Sequence, residues 1–281
     1  MRIDAHQHFW RYEPREFDWI DERMAALRRD FLPGDFKPWL EGSGIDGCVA
    51  VQVRQSLEET SWLLGLAEQF PFVRGVVGWV DLRARELPKT LAALSRNRKL
   101  VGVRHIVQSE PDHRFLLQPE FLRGIAMLEE FGLAYDLLIY TKHLGLAAEF
   151  VDKFPRQRFV LDHLAKPPIK SGQLGVWERG LREIAKFPNL MAKLSGLVTE
   201  ADWEAWTPGE IRACLEVAFA CFGARRLMVG SDWPVCTLAG TYHRVMGIVE
   251  EYVGERCSTE EAEAVLGGNA AKFWRLATPE N

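Results

Sequence analysis

The chain has little that would tie it to a membrane, a nucleic acid or an oxidising compartment. No run reaches the roughly 18 apolar residues of a membrane span. The start, Met1-Arg2-Ile3-Asp4-Ala5-His6, lacks the apolar stretch of a signal peptide. The 35 Lys and Arg are outnumbered by 39 Asp and Glu, so no basic excess exists to neutralise phosphates. The five cysteines are odd in number and form no CxxC pair, which predicts free thiols in a reducing, cytoplasmic setting. No Gly-rich turn follows the first strand candidate, which disfavours a doubly wound nucleotide-binding sheet. Ser231 sits in Gly-Ser-Asp-Trp rather than in a GxSxG elbow, which removes it as a serine nucleophile. Repeats, low-complexity tracts and linkers are absent too. The 281 residues are read as one barrel domain over 1–281.

What is present is an alternation of short apolar runs with longer helical patterns. Eight strands are predicted at Arg2–His6, Cys48–Val53, Val73–Val80, Leu100–Val107, Leu133–Ile139, Arg158–His163, Leu190–Ser195 and Arg226–Ser231. Helices are predicted between them, as at Glu58–Phe70, Leu144–Phe154 and Pro208–Phe222, and again near Tyr242–Tyr252 and Thr259–Leu266. Runs such as CVAVQV are apolar almost throughout, as strands buried on both faces must be. Eight such strands, mostly followed by a helix, predict a closed α/β barrel of the (β/α)8 TIM type. The long connection after the first strand is read as a loop from Phe9 plus a helix near Asp35–Gly42.

Barrel enzymes carry their chemistry at the C-terminal ends of the strands, and here those ends are polar. His6 and His8 are two apart, so an extended strand aims both at one face. Two imidazoles at a barrel mouth are half of a metal site, and His163 and Asp232 are the candidates to complete it. A hydrogen-bonded histidine pair is the alternative. Arg104 and His105 are adjacent, so only one should reach the interior of a regular strand, and the same holds for Asp162 and His163. Arg104 reads either as a structural ion pair or as a donor to substrate. Trp10 and Trp233 read either as walls of a sugar pocket or as core. Lys193 has an inward and an outward option. Lys166 reads as a surface charge.

Seven segments carry a family likeness: DAHQHFW from Asp4, GVVGWVDL from Gly75, GVRHIVQ from Gly102, FVLDHLAKP from Phe159, KLSGLVTEADW from Lys193, RLMVGSDWPV from Arg226 and GGNAAKFW from Gly267. In this order they resemble the amidohydrolase-2 branch of the amidohydrolase superfamily, and more narrowly its sugar lactonases. The resemblance implies hydrolysis of a small sugar-acid lactone at the barrel mouth. By motif, His6, His8, His163 and Asp232 match the family's metal-site positions, with Asp232 and His163 as the catalytic pair. Arg104 and His105 match a substrate-binding segment, to which Trp10 and Trp233 are added as pocket walls. No lysine bridging two metals is evident, Lys193 being the nearest candidate, so the resemblance implies at most one divalent ion, zinc or manganese, and leaves metal-independent action open. Decarboxylation of an aromatic or muconate-type acid and a non-catalytic sugar-acid-binding barrel are the competing expectations. The expected partner is a small-molecule substrate, with no nucleic acid or membrane and with an oligomer left open.

Overall fold

The computed structural model describes residues 1–277. Its strands are β1 (Ile3–Gln7), β2 (Gly47–Val51), β3 (Val73–Gly78), β4 (Leu100–His105), β5 (Ala134–Leu137), β6 (Phe159–Leu161), β7 (Leu190–Leu194) and β8 (Leu227–Val229). They form one parallel eight-stranded sheet in sequential order. The sheet rolls up until β1 meets the end of β8, where Asp232 N donates to His6 O at 2.8 Å and His8 N to Trp233 O at 2.7 Å. Gly230 permits that seam. A Cβ there would lie 2.7 Å from the Cβ of His6.

The helices are α1 (Pro33–Gly42), α2 (Leu57–Gln69), α3 (Leu87–Leu94), α4 (Pro119–Leu128), α5 (Leu144–Asp152), α6 (Gly175–Ile184), α7 (Pro208–Phe222), α8 (Tyr242–Arg256), α9 (Thr259–Glu263) and α10 (Asn269–Trp274). Local sequence explains their starts. At α7, Thr207 accepts from Glu210 N and the Glu210 carboxylate accepts from Thr207 N, with Pro208 opening the first turn.

Two apolar layers follow from the strand alternation. The larger lies between the sheet and the outer helices, and holds Leu63, Leu91, Ile125, Phe150, Leu181 and Leu215. The smaller fills the barrel with Ile3, Ala5, Val49, Val51, Val77, Ala134, Val160 and Met228, closed below by Ala270, Phe273 and Trp274 of α10. Among the described residues no helix is long and apolar enough to cross a membrane.

A bulge in β1 breaks the alternation. Asp4 pairs with Cys48 and Gln7 with Ala50, so three steps on β1 match two on β2. Ala5 packs with the interior apolar set. His6, next along, also reaches inward, to Lys193 and Asp162. The long connection after β1 holds a short 3-10 turn, Glu22–Leu27, before α1. It pairs Trp10 with Phe31 through two backbone hydrogen bonds of 2.9 Å and folds over the mouth side of the barrel.

Candidate active site

Four side chains from three strand ends converge. His6 and His8 come from β1 and the residue after it, His163 from the end of β6, and Asp232 from the end of β8. His6 Nε2 lies 3.2 Å from His8 Nε2 and 3.7 Å from Asp232 Oδ1. His8 Nε2 and His163 Nε2 stand 3.2 and 3.9 Å from the same oxygen. All four are buried.

The backbone bends to achieve this. His163, Leu164, Ala165 and Lys166 have φ between 50° and 58°, and Asp232 has φ 60°. A left-handed conformation costs an L-residue about 1–2 kcal/mol, so such a run persists only when its surroundings enforce it. Its effect is to carry His163 to the same side as Asp162, against the alternation expected of neighbours. Gly196, with φ 63°, makes room for the ring, since a Cβ there would sit 2.4 Å from His163 Nδ1.

Each histidine is held by its other nitrogen. His8 Nδ1 donates to Val51 O at 2.8 Å, leaving the Nε2 lone pair facing the cluster. His163 Nδ1 meets Ser195 Oγ at 2.9 Å. His6 Nδ1 lies 3.4 Å from Asp162 Oδ1 and 3.1 Å from Lys193 Nζ. Burial keeps His163 neutral down to about pH 4 and pushes His6 well below its ordinary value, with the Lys193 charge adding to the latter. Burial alone would raise Asp232, but His163, His8 and His6 outweigh it and hold the carboxyl below the usual range.

These donors fit a divalent cation. A metal about 2.1 Å from tetrahedral nitrogen and oxygen donors sets neighbouring donors about 3.4 Å apart, and His6, His8 and Asp232 stand 3.2 to 3.7 Å from one another. For His8 and His163, second nitrogens bonded to a carbonyl and a hydroxyl are the arrangement that fixes such ligands. His6, His8 and Asp232 form one group able to hold a metal, and His6, Asp162 and His163 form another.

Behind the histidines lies a charged layer that the sequence left open. Lys193 points inward, fully buried, with Nζ 2.5 Å from Asp136 Oδ2 and 2.9 Å from Asp162 Oδ1. A lysine so engaged is an ion-pair partner, not a bridge between metals. Arg104 donates to Asp162 Oδ2 at 3.0 Å and to Gln52 O, and its Nη1 lies 3.4 Å from His6 Nε2, while its Nε has no hydrogen-bond partner among the described residues. Burial raises Asp162, but Lys193, His6 and Arg104 together hold it well below the usual range.

Three residues expected to bind substrate lie elsewhere. His105 turns to the outer face, stacks on Phe115 at 4.6 Å and bonds Glu110 at 2.6 Å. Alternation allows only one of Arg104 and His105 inside, and Arg104 takes that place. Trp10 is 1% exposed and donates its Nε1 proton to Arg29 O. Trp233 is 2% exposed and packs on Phe36 at 4.8 Å and Phe31 at 5.3 Å. Trp233 is part of the aromatic packing under the long connection, whereas Trp10 joins that packing and also borders a pocket with Arg11, Phe17, Arg54 and Trp62. Lys166, expected as a surface charge, is mostly covered and faces Glu200 at 3.5 Å. Glu200 lies within the KLSGLVTEADW segment, where no local pattern singles it out.

Comparison with known proteins narrows the reading. The chain is 40% identical to the L-fucono-1,5-lactonase of Burkholderia multivorans, over 99% of this chain and 97% of that protein. It superposes with a TM-score of 0.96 on a crystal structure of an amidohydrolase from Burkholderia multivorans with bound zinc, at 40% identity over 99% of this chain and 100% of that one. A 2,6-dihydroxybenzoate decarboxylase from Rhizobium shares 12% identity at a TM-score of 0.66, over 98% of both chains, and speaks to the fold alone. A family model described as amidohydrolase matches residues 3–276. By that match, and by the barrel and polar cluster it spans, the chain belongs to the amidohydrolase family.

Proposed function

We propose that the protein hydrolyses the ester of a sugar-acid lactone, opening the ring to the free aldonic acid. The observation that carries this is the convergence of His6, His8, His163 and Asp232 at the mouth of a barrel alike over its whole length to an L-fucono-1,5-lactonase. The five cysteines are unpaired thiols, which suits a reducing compartment.

Opening a lactone requires an activated water, a polarised carbonyl and a proton for the departing ring oxygen. His6, His8, His163 and Asp232 would hold the divalent cation. Bound there, it supplies Lewis acidity that lowers the pKa of water and polarises the ester carbonyl. Asp232 is ionised at neutral pH and takes the proton of the attacking water. As the carbon–oxygen bond of the ring breaks, Asp232 returns that proton to the ring oxygen, so no net charge is stranded on the enzyme. His8 keeps its Nε2 lone pair turned inward because its Nδ1 proton is given to Val51 O, and Ser195 holds the His163 ring from behind. Arg104 and Lys193 act at one remove, by fixing the Asp162 carboxylate against His6.

A panel of aldonolactones in a pH-indicator assay, run beside metal analysis of the same sample, tests this. Acid release from fucono-, rhamnono- or galactono-lactones is expected, and loss of activity after chelation should be reversed by adding back a divalent ion. A chain that opens none of them, or that releases carbon dioxide from an aromatic acid, has another function.

A further inference from the structure

A second polar group borders the cluster on the β6–β7 side and takes no part in the chemistry above. Lys166 ends the left-handed turn that begins at His163, and Glu200 ends the 3-10 turn Val198–Glu200 beyond β7. Lys166 Nζ lies 3.5 Å from Glu200 Oε1, with the two side chains 18% and 24% exposed. Tyr140, an exposed aromatic beyond β5, places its ring 5.2 Å from the same ammonium. Both turns adjoin the cluster: Lys166 N donates to His163 O at 2.8 Å, and the Glu200 turn follows Gly196, which packs against the His163 ring.

This pair is held in place yet sparingly used. Thr141 Oγ1 donates to Ala165 O at 3.2 Å and Lys166 O at 3.0 Å, pinning one turn. Thr199 Oγ1 donates to Gly196 O at 2.8 Å, pinning the other. A charge-assisted bond between such groups closes to about 2.7–2.9 Å when it is made for stability, and 3.5 Å is well short of that. An ammonium has three donors and a carboxylate about four acceptor positions. Among the described residues neither side chain has a hydrogen bond nearer than this mutual contact. Spare donors, spare acceptors and an open ring face are what a polyol needs from a protein.

We infer that Lys166, Glu200 and Tyr140 form the subsite that recognises the hydroxylated face of the lactone ring. Glu200 accepts from ring hydroxyls, Lys166 donates to a hydroxyl oxygen, and the Tyr140 face packs on ring C–H groups. The inference rests on the lactone-hydrolase reading and assigns its specificity to residues outside the four-residue cluster.

The test compares kcat/KM for a polyhydroxylated aldono-1,5-lactone and for δ-valerolactone, which keeps ring and ester but has no hydroxyls. Glu200→Gln and Lys166→Met should each lower the preference for the hydroxylated lactone at least about tenfold, chiefly through KM. A preference measured on one sample does not depend on how much of it is folded. Binding of the aldonate product, followed by tryptophan fluorescence, should weaken by a similar factor. Wild-type preference and product affinity in both variants would leave Lys166–Glu200 an ordinary surface ion pair and overturn the inference alone. A wild-type protein that opens no lactone overturns the proposed function, and this inference with it.

Discussion

Two strands on either side of β5 end in the same kind of dipeptide, Arg104-His105 on β4 and Asp162-His163 on β6, and the histidines part company. On β4 the strand stays regular through His105, so the charged residue points in and the histidine points out, onto Phe115. On β6 the strand stops at Leu161 and the backbone turns left-handed at His163, which brings charge and imidazole to the same side. A change of backbone hand thus separates a histidine that packs outward from one that joins the polar cluster. Residue type and position at the mouth do not.

The largest effect should fall on the two histidines themselves. His163→Ala should lower kcat/KM by about a thousandfold, as removal of a group at the reacting centre does. His105→Phe should stay within about threefold of wild type. Equal losses in the two variants would erase the distinction.

Buried carboxylates give a second contrast across the same wall. Asp162 has Lys193 and Arg104 for company. Asp4, on the other face of β1, accepts from Ser231 N at 2.9 Å, His6 N at 3.1 Å and the Tyr242 hydroxyl at 3.2 Å, all neutral donors. Burial without a countercharge pushes Asp4 up from 3.8 to about 6. Between those values the folded protein binds a proton that the unfolded chain has released, so stability falls as pH rises through that window. Asp4→Asn keeps the two backbone hydrogen bonds without the charge. In urea melts it should match wild type near pH 4 and gain up to about 3 kcal/mol on it by pH 8. A difference that does not grow with pH would mean that Asp4 is ionised at no cost.

The smallest effect concerns the turn. Ala165→Gly on the β6 side should leave the melting temperature unchanged or raise stability by up to about 1 kcal/mol, because glycine adopts positive φ freely. Ile106→Gly at the end of β4, where φ is −81°, should destabilise by about 1 kcal/mol. Loss of stability in both variants would argue against strain at the β6 turn.

Much of this was readable beforehand. All eight strands lie within a few residues of their predicted places, because buried parallel strands are apolar runs bounded by polar ends. His6, His8, His163 and Asp232 stood out for the same reason. The structure went beyond the sequence where partners lie far along the chain. Lys193 could not be placed without Asp136 and Asp162, which fix its ammonium from two other strands. Trp10 and Trp233 carry no mark that separates a pocket wall from core until the connection folds over them. The left-handed turn at His163-Leu164-Ala165-Lys166 contains neither glycine nor asparagine, so no local signal announces it, and Lys166 and Glu200 stayed hidden with it.

The floor of the barrel has a consequence for how the molecule is made. Phe273 and Trp274 of α10 cap the same interior that Ile3 of β1 helps to fill, and the backbone of Gly267 lies against Met1, Arg2 and Ile3. At translation rates of about 5–20 residues per second, β1 leaves the ribosome on the order of tens of seconds before that cap exists. For that interval its inner face and one hydrogen-bonding edge stand uncovered, and the nascent chain depends on chaperones or on provisional pairing with β2 to stay out of aggregates.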